Sequence, residues 1–192
     1  MKITLTLFVI IFTSLIFSLS FSLSFSPRGF AQDNSDKPER MLKKLATLDG
    51  NWKGFLEYLD YGDNKSKTTL PAVCEAVFNK SGNDKYLSVK FIFDEGKGRT
   101  VTGEDAWTIL DEGKTFFYDS TNYNITSYAQ NDDNNDIAIF IFEKEGEDNN
   151  KPCTIQQTFK MHNDSFSIEK KVKYSDSDSF FVRHEFSFQR VK

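Results

Sequence analysis

Phe180-Phe181-Val182-Arg183-His184-Glu185-Phe186-Ser187-Phe188-Gln189-Arg190-Val191 closes the chain on a two-residue rhythm. Phe180, Val182, His184, Phe186, Phe188 and Arg190 fall on one face, and Phe181, Arg183, Glu185, Ser187 and Gln189 on the other. Side chains alternate across a strand, so the mostly apolar first set is expected to line an interior and to carry His184 inward with it.

The rhythm extends backwards. Phe166, Ile168, Lys170, Val172 and Tyr174 are the apolar set of the preceding run, and Ile155, Gln157, Phe159 and Met161 that of the run before. Strand-like runs cover Trp52–Asp60, Lys67–Phe78, Lys85–Phe93, Arg99–Leu110, Lys114–Ser120, Tyr123–Gln130, Asp136–Lys144, Cys153–Met161, Ser165–Tyr174 and Phe180–Val191. Between them lie Gly- and Asn-bearing clusters such as Tyr61-Gly62-Asp63-Asn64 and Ser81-Gly82-Asn83-Asp84, which accept the positive φ of a tight reversal. About ten strands with short links predict an all-β fold: a single antiparallel up-and-down barrel, whose closure removes the sheet edges. The Asp/Asn clusters at Asp132–Asp136 and Glu145–Asn150 lack calcium-loop spacing and read as solvated turns.

Before the strands, Met41, Leu42, Leu45 and Leu48 recur at helical spacing, with Asp36 and Glu39 as a capping pair and Pro38 in the first turn. A short helix closing one barrel end is expected. Further back, Lys2 precedes an apolar, serine-rich stretch from Ile3 to Phe25, and small residues stand before Gln32. This reads as a signal peptide over 1–31, cut after Ala31. Residues 32–47 are then a linker and the helix, and 48–192 the barrel. The predicted location is extracytoplasmic, secreted or periplasmic, with no membrane contact after cleavage.

The mature chain carries 22 basic and 28 acidic residues, a formal charge of −6, which argues against nucleic acid as a partner. Fourteen phenylalanines remain to fill a core. Cys74 and Cys153 are either a disulfide, contributing about 4–5 kcal/mol in the chain-entropy model, or two buried thiols. Four Asn-x-Ser/Thr sequons, at Asn64, Asn79, Asn124 and Asn163, matter only in a glycosylating host.

Leu48-Asp49-Gly50-Asn51-Trp52-Lys53-Gly54, with Arg190 on the last strand, resembles the opening and closing strands of the calycin superfamily of lipocalins and fatty-acid-binding proteins. The resemblance implies that Trp52 packs at the closed end with the Arg190 guanidinium across its indole, a structural pair that gains cation–π energy while covering apolar surface.

Three polar groups interrupt the inward rows: Lys170, His184 and Gln157. A symmetric final hairpin sets Lys170 opposite His184, but also Glu169 opposite Glu185 and Lys171 opposite Arg183, which is unfavourable; a two-residue shift would relieve it. Asp105 shares parity with Trp107 and is a candidate partner for Lys170. One reading is an apolar cavity, lined also by Phe186, Phe159 and Tyr58, in which the three polar groups hold the head of a small amphipathic ligand. The other is a solid core in which Lys170 reaches the barrel mouth, leaving loops or the outer face to bind a partner. The resemblance adds a third, since one branch of haem barrels uses a histidine, which would make His184 an axial ligand. No catalytic motif, metal site or cofactor motif is present, so the chain is expected not to be an enzyme.

Overall fold

The computed structural model describes residues 36–131 and 136–192. The expected signal peptide and the first residues of the linker lie outside them. Helix α1 (Lys37–Ala46) precedes ten strands: β1 (Gly50–Leu59), β2 (Lys67–Ser81), β3 (Asp84–Gly96), β4 (Arg99–Leu110), β5 (Thr115–Tyr118), β6 (Thr121–Asn131), β7 (Ile137–Asp148), β8 (Lys151–His162), β9 (Ser165–Tyr174) and β10 (Phe181–Arg190). Each strand pairs antiparallel with the next and β1 pairs with β10, closing the barrel. The alternation thus marks the strands, with ends to correct: β2 and β3 run on to Ser81 and Gly96, and β7 does not stop near Lys144 but continues to Asp148, through part of the segment expected to be a solvated turn.

Antiparallel order sorts the turns to two ends. The helix end carries α1 and the β2–β3, β4–β5 and β8–β9 turns, and the loop end the β1–β2, β3–β4, β5–β6, β7–β8 and β9–β10 turns. Met41, Leu45 and Leu48 are fully buried, and α1 rests on β3, β4 and the 3-10 turn Asp111–Gly113. The Asp36 side chain makes no capping bond, and Glu39 does not reach back to it; Lys85 Nζ donates to Glu39 at 2.7 Å instead. An ion pair to the sheet has displaced the local capping pair.

The closing seam is β1 on β10. Trp52 stands opposite Arg190 and Gly54 opposite Phe188. A Cβ at Gly54 would lie 1.9 Å from the Ser187 carbonyl oxygen, so only glycine lets the strands meet there. The Arg190 guanidinium sits 4.1 Å from the Trp52 ring centroid and donates to the carbonyls of Asp49 (2.8 Å) and Thr47. Trp52 Nε1 donates to Leu48 O at 2.8 Å, tying the helix exit to the seam. The structural pair is therefore present.

Inside, Trp107, Phe116, Phe140, Phe142 and Phe159 are fully buried and interlocked, with centroids 4.6 Å apart for Phe116–Phe142 and 5.3 Å for Trp107–Phe159. Cys74 and Cys153 are free, buried thiols rather than a disulfide. They stand on β2 and β8, which β1, β10 and β9 separate around the wall.

Candidate functional site

The strand register builds one inner row from separate predictions. Tyr58 on β1 faces His184 on β10, His184 faces Lys170 on β9, Lys170 faces Gln157 on β8, and Gln157 faces Phe142 on β7. Lys170 is directly opposite His184, without the two-residue shift. Glu169 does stand opposite Glu185, and Lys171 Nζ lies 2.9 Å from Glu169 Oε1, offsetting that repulsion. Phe186 lies one pair towards the helix end, its ring 5.2 Å from the imidazole. Phe159 is set deeper, in the aromatic floor rather than in this row.

The second expected clash, Lys171 against Arg183, is removed by a β-bulge. The register slips between Val182 and His184, so Lys171 faces Val182 and Arg183 has no opposite number. The bulge corrects the expected parity. Val182 points outward, Phe181 packs on Tyr174 with centroids 5.6 Å apart, and Arg183 turns inward with 0% of its surface exposed.

Arg183 then organises the loop end. Its guanidinium donates to Asp148 Oδ2 (2.6 Å), Asn64 Oδ1 (2.6 Å) and the Tyr174 hydroxyl (2.9 Å), and lies between the rings of Tyr61 (4.6 Å) and Phe181 (4.8 Å). Tyr174 also donates to Asp148 at 3.0 Å. Lys170 Nζ reaches Asp148 Oδ1 at 3.4 Å, a long contact to a carboxylate already engaged. Asp148, not Asp105, is thus the partner of Lys170. Asp105 accepts from Trp107 Nε1 (2.7 Å) and from the backbone N–H of Asp119 (2.6 Å), fixing the β5–β6 turn.

Polar atoms on this wall are left over. Gln157 Oε1 and His184 Nε2 are buried without a hydrogen-bond partner. Burial, with the Lys170 charge beside it, pushes the imidazole pKa down to about 3, so His184 is neutral at ordinary pH. Burial also raises Tyr123 to about 12, against the pull of the nearby Gln157 amide. Leu56, Tyr58, Leu70, Phe93 and Phe186 share the parity of buried wall residues yet are only half-buried, which places accessible apolar surface on the inner face. Among the described residues no group of three or more His, Cys, Asp or Glu side chains is placed to hold a metal ion.

Sequence reading found the polar row but not Arg183, Asp148 or Lys144. The one available signal was the unfavourable Lys171–Arg183 pairing, which a bulge resolves as well as a shift does. Lys144 and Asp148 continue the parity of Phe140 and Phe142 once β7 is read to its true end.

No family model matches the chain, and no curated protein matches it. Among solved structures, Rv2717c from M. tuberculosis is similar over 79% of this chain and 97% of its own, at 11% identity and a TM-score of 0.55. A protein of unknown function from the DUF3598 family, NPUN_R4044 of Nostoc punctiforme PCC 73102, is similar over 77% of this chain and 49% of its own, at 13% identity and a TM-score of 0.37, so the chain spans about half of that protein. At such identity the likeness to Rv2717c concerns fold alone, and it fits a closed antiparallel barrel.

Proposed function

We propose that this chain is an extracytoplasmic, non-enzymatic barrel that takes a small amphipathic molecule into its lumen. The observation that carries the reading is the pairing of unlike surfaces on one inner wall. Half-buried Leu56, Leu70, Phe93 and Phe186 offer apolar area, while Gln157 Oε1 and His184 Nε2 flank Lys170 with unused hydrogen-bonding capacity. Buried polar atoms without partners are unfavourable, and a ligand head group supplies the missing bonds. The N-terminal signal pattern supports the location, and the acidic balance argues against nucleic acid.

The rival is an outer-face interaction module. It has its own support in the exposed Phe55, Val73 and Val77, and in a groove of about 580 Å³ lined by Lys53, Pro71, Val73, Ile92 and Gln189. Fluorescence titration with the neutral probe N-phenyl-1-naphthylamine separates the two. Leu56→Trp and Leu70→Trp, which fill the lumen, are expected to weaken probe binding at least tenfold, and Val73→Lys to leave it unchanged. The opposite pattern transfers the function to the outer face.

A second reading, haem held axially by His184, rests on the unpartnered Nε2 of an imidazole kept neutral and therefore able to coordinate. Haem addition then gives a Soret shift that His184→Ala abolishes. No shift, or one unchanged in that variant, removes this reading.

A further inference from the structure

Positive charge on the inner wall of the loop end exceeds the carboxylate in contact with it. Arg183 and Lys170 share Asp148, and Arg183 holds the closer place, at 2.6 Å against 3.4 Å. Lys144 lies four residues before Asp148 on β7. Its ammonium stands 4.7 Å over the Tyr123 ring, and among the described residues it makes no ion pair with a carboxylate. Gly146, between Lys144 and Asp148, leaves room that Ile155 and Lys144 fill: a Cβ there would lie 3.2 Å from Ile155 Cδ1 and 3.8 Å from Lys144 Cε.

We infer that Lys144 and Lys170 together hold an oxyanion head group, a carboxylate or phosphate monoester, on the lumen ligand. The inference rests on the lumen reading above and names its ligand class. Burial, reinforced by the Lys170 charge, pulls the Lys144 pKa below the ordinary lysine range, although Asp119 acts the other way. Two half-dehydrated ammoniums that repel each other are relieved by an anion between them. The other carboxylates facing this space are less available. Asp105 is engaged by backbone N–H groups and an indole, and Asp119, whose charge acts on both lysines, makes no ion pair with either among the described residues. On binding, the oxyanion takes Lys170 from its long contact with Asp148 while Arg183 keeps Asp148 paired, so no buried carboxylate is stranded. Neutral His184, beside Lys170, can donate to the oxyanion in its Nε2–H tautomer, whereas Gln157 Oε1 is an acceptor and faces the Lys170 ammonium side of the site.

Calorimetric titration with decanol, decanoate and decyl phosphate, each below its micellar concentration, tests this. Both anions are expected to bind about tenfold tighter than decanol, the scale of one charge-assisted hydrogen bond. Lys144→Met and Lys170→Met are each expected to erase most of that preference, Lys144→Met with decanol binding unchanged, and Lys144→Arg to retain it. Equal affinity for all three ligands, or a preference intact in Lys144→Met, overturns the oxyanion site and leaves the lumen reading standing. Failure of all three, decanol included, overturns both. Should Lys144→Met not fold, Lys144→Gln carries the same test.

Discussion

The two ends of the barrel are built from the same alternation and come out chemically opposite. At the helix end the inward positions are aromatic and dry: Trp52 is sealed by Arg190, Phe166 and Phe188 stack at 4.9 Å, and α1 covers the opening with Met41 and Leu45. At the loop end the inward positions are Lys144, Lys170, Arg183, Asp148 and Tyr174, joined to loop residues Tyr61 and Asn64. Both ends use an arginine of β10 against an aromatic ring. Arg190 caps a finished core from outside and bonds to main-chain carbonyls. Arg183 is itself the core of its end and satisfies side chains. The first arrangement suits permanent closure, the second a rim whose contacts can be exchanged.

The largest expected effect breaks the helix end. Gly54→Ala forces a methyl group onto the Ser187 carbonyl at the closing seam, and a loss on the order of 4 kcal/mol or more is expected, read as a collapse of the thermal transition. A normal melt would show that the seam yields and that closure does not depend on this glycine.

At the loop end, Arg183→Met leaves Asp148 buried with only the Tyr174 hydroxyl and the distant Lys170, and about 3 kcal/mol should be lost in denaturant unfolding. The double change Arg183→Met with Asp148→Leu removes both charges and should recover most of it. If the single variant is as stable as the parent, the network is not what holds this end.

A smaller effect, about 1.4 kcal/mol per pH unit, sharpens the contrast through His184. Its folded pKa of about 3 lies below the unfolded value of 6.5. Between those limits the unfolded chain binds a proton that the folded chain refuses, so stability falls as pH falls from 6.5 towards 3. Subtracting the pH profile of His184→Gln from that of the parent isolates this slope. Identical slopes would mean that the imidazole is hydrated and that this wall is wet.

Much of this was legible in the chain. Trp52 with Arg190 marked the seam through the resemblance of the first and last strands to calycin barrels, and period-two patterning carries the strand count. The row of His184, Lys170 and Gln157 was legible for the same reason: parity alone places them inward, and strand order makes them neighbours. Arg183 was not, because the one mark the bulge left in the sequence, the unfavourable Lys171–Arg183 pairing, fits a register shift equally well. One slipped hydrogen bond reverses sidedness for the residues before it, and only the summed energetics of Asp148, Tyr174 and Asn64, brought from distant segments, decide that it slips. Asp148 was hidden by composition, since an Asp/Asn/Glu cluster reads as solvent-facing until a buried cation is known to lie opposite it.

The bulge also confines variation. Because the slip lies between Val182 and His184, the first three positions of β10 take no part in its pairing with β1, which runs from His184 to Arg190. Lengthening or recasting the Ser175–Phe180 turn therefore reshapes the doorway and leaves the staves of the cask in step.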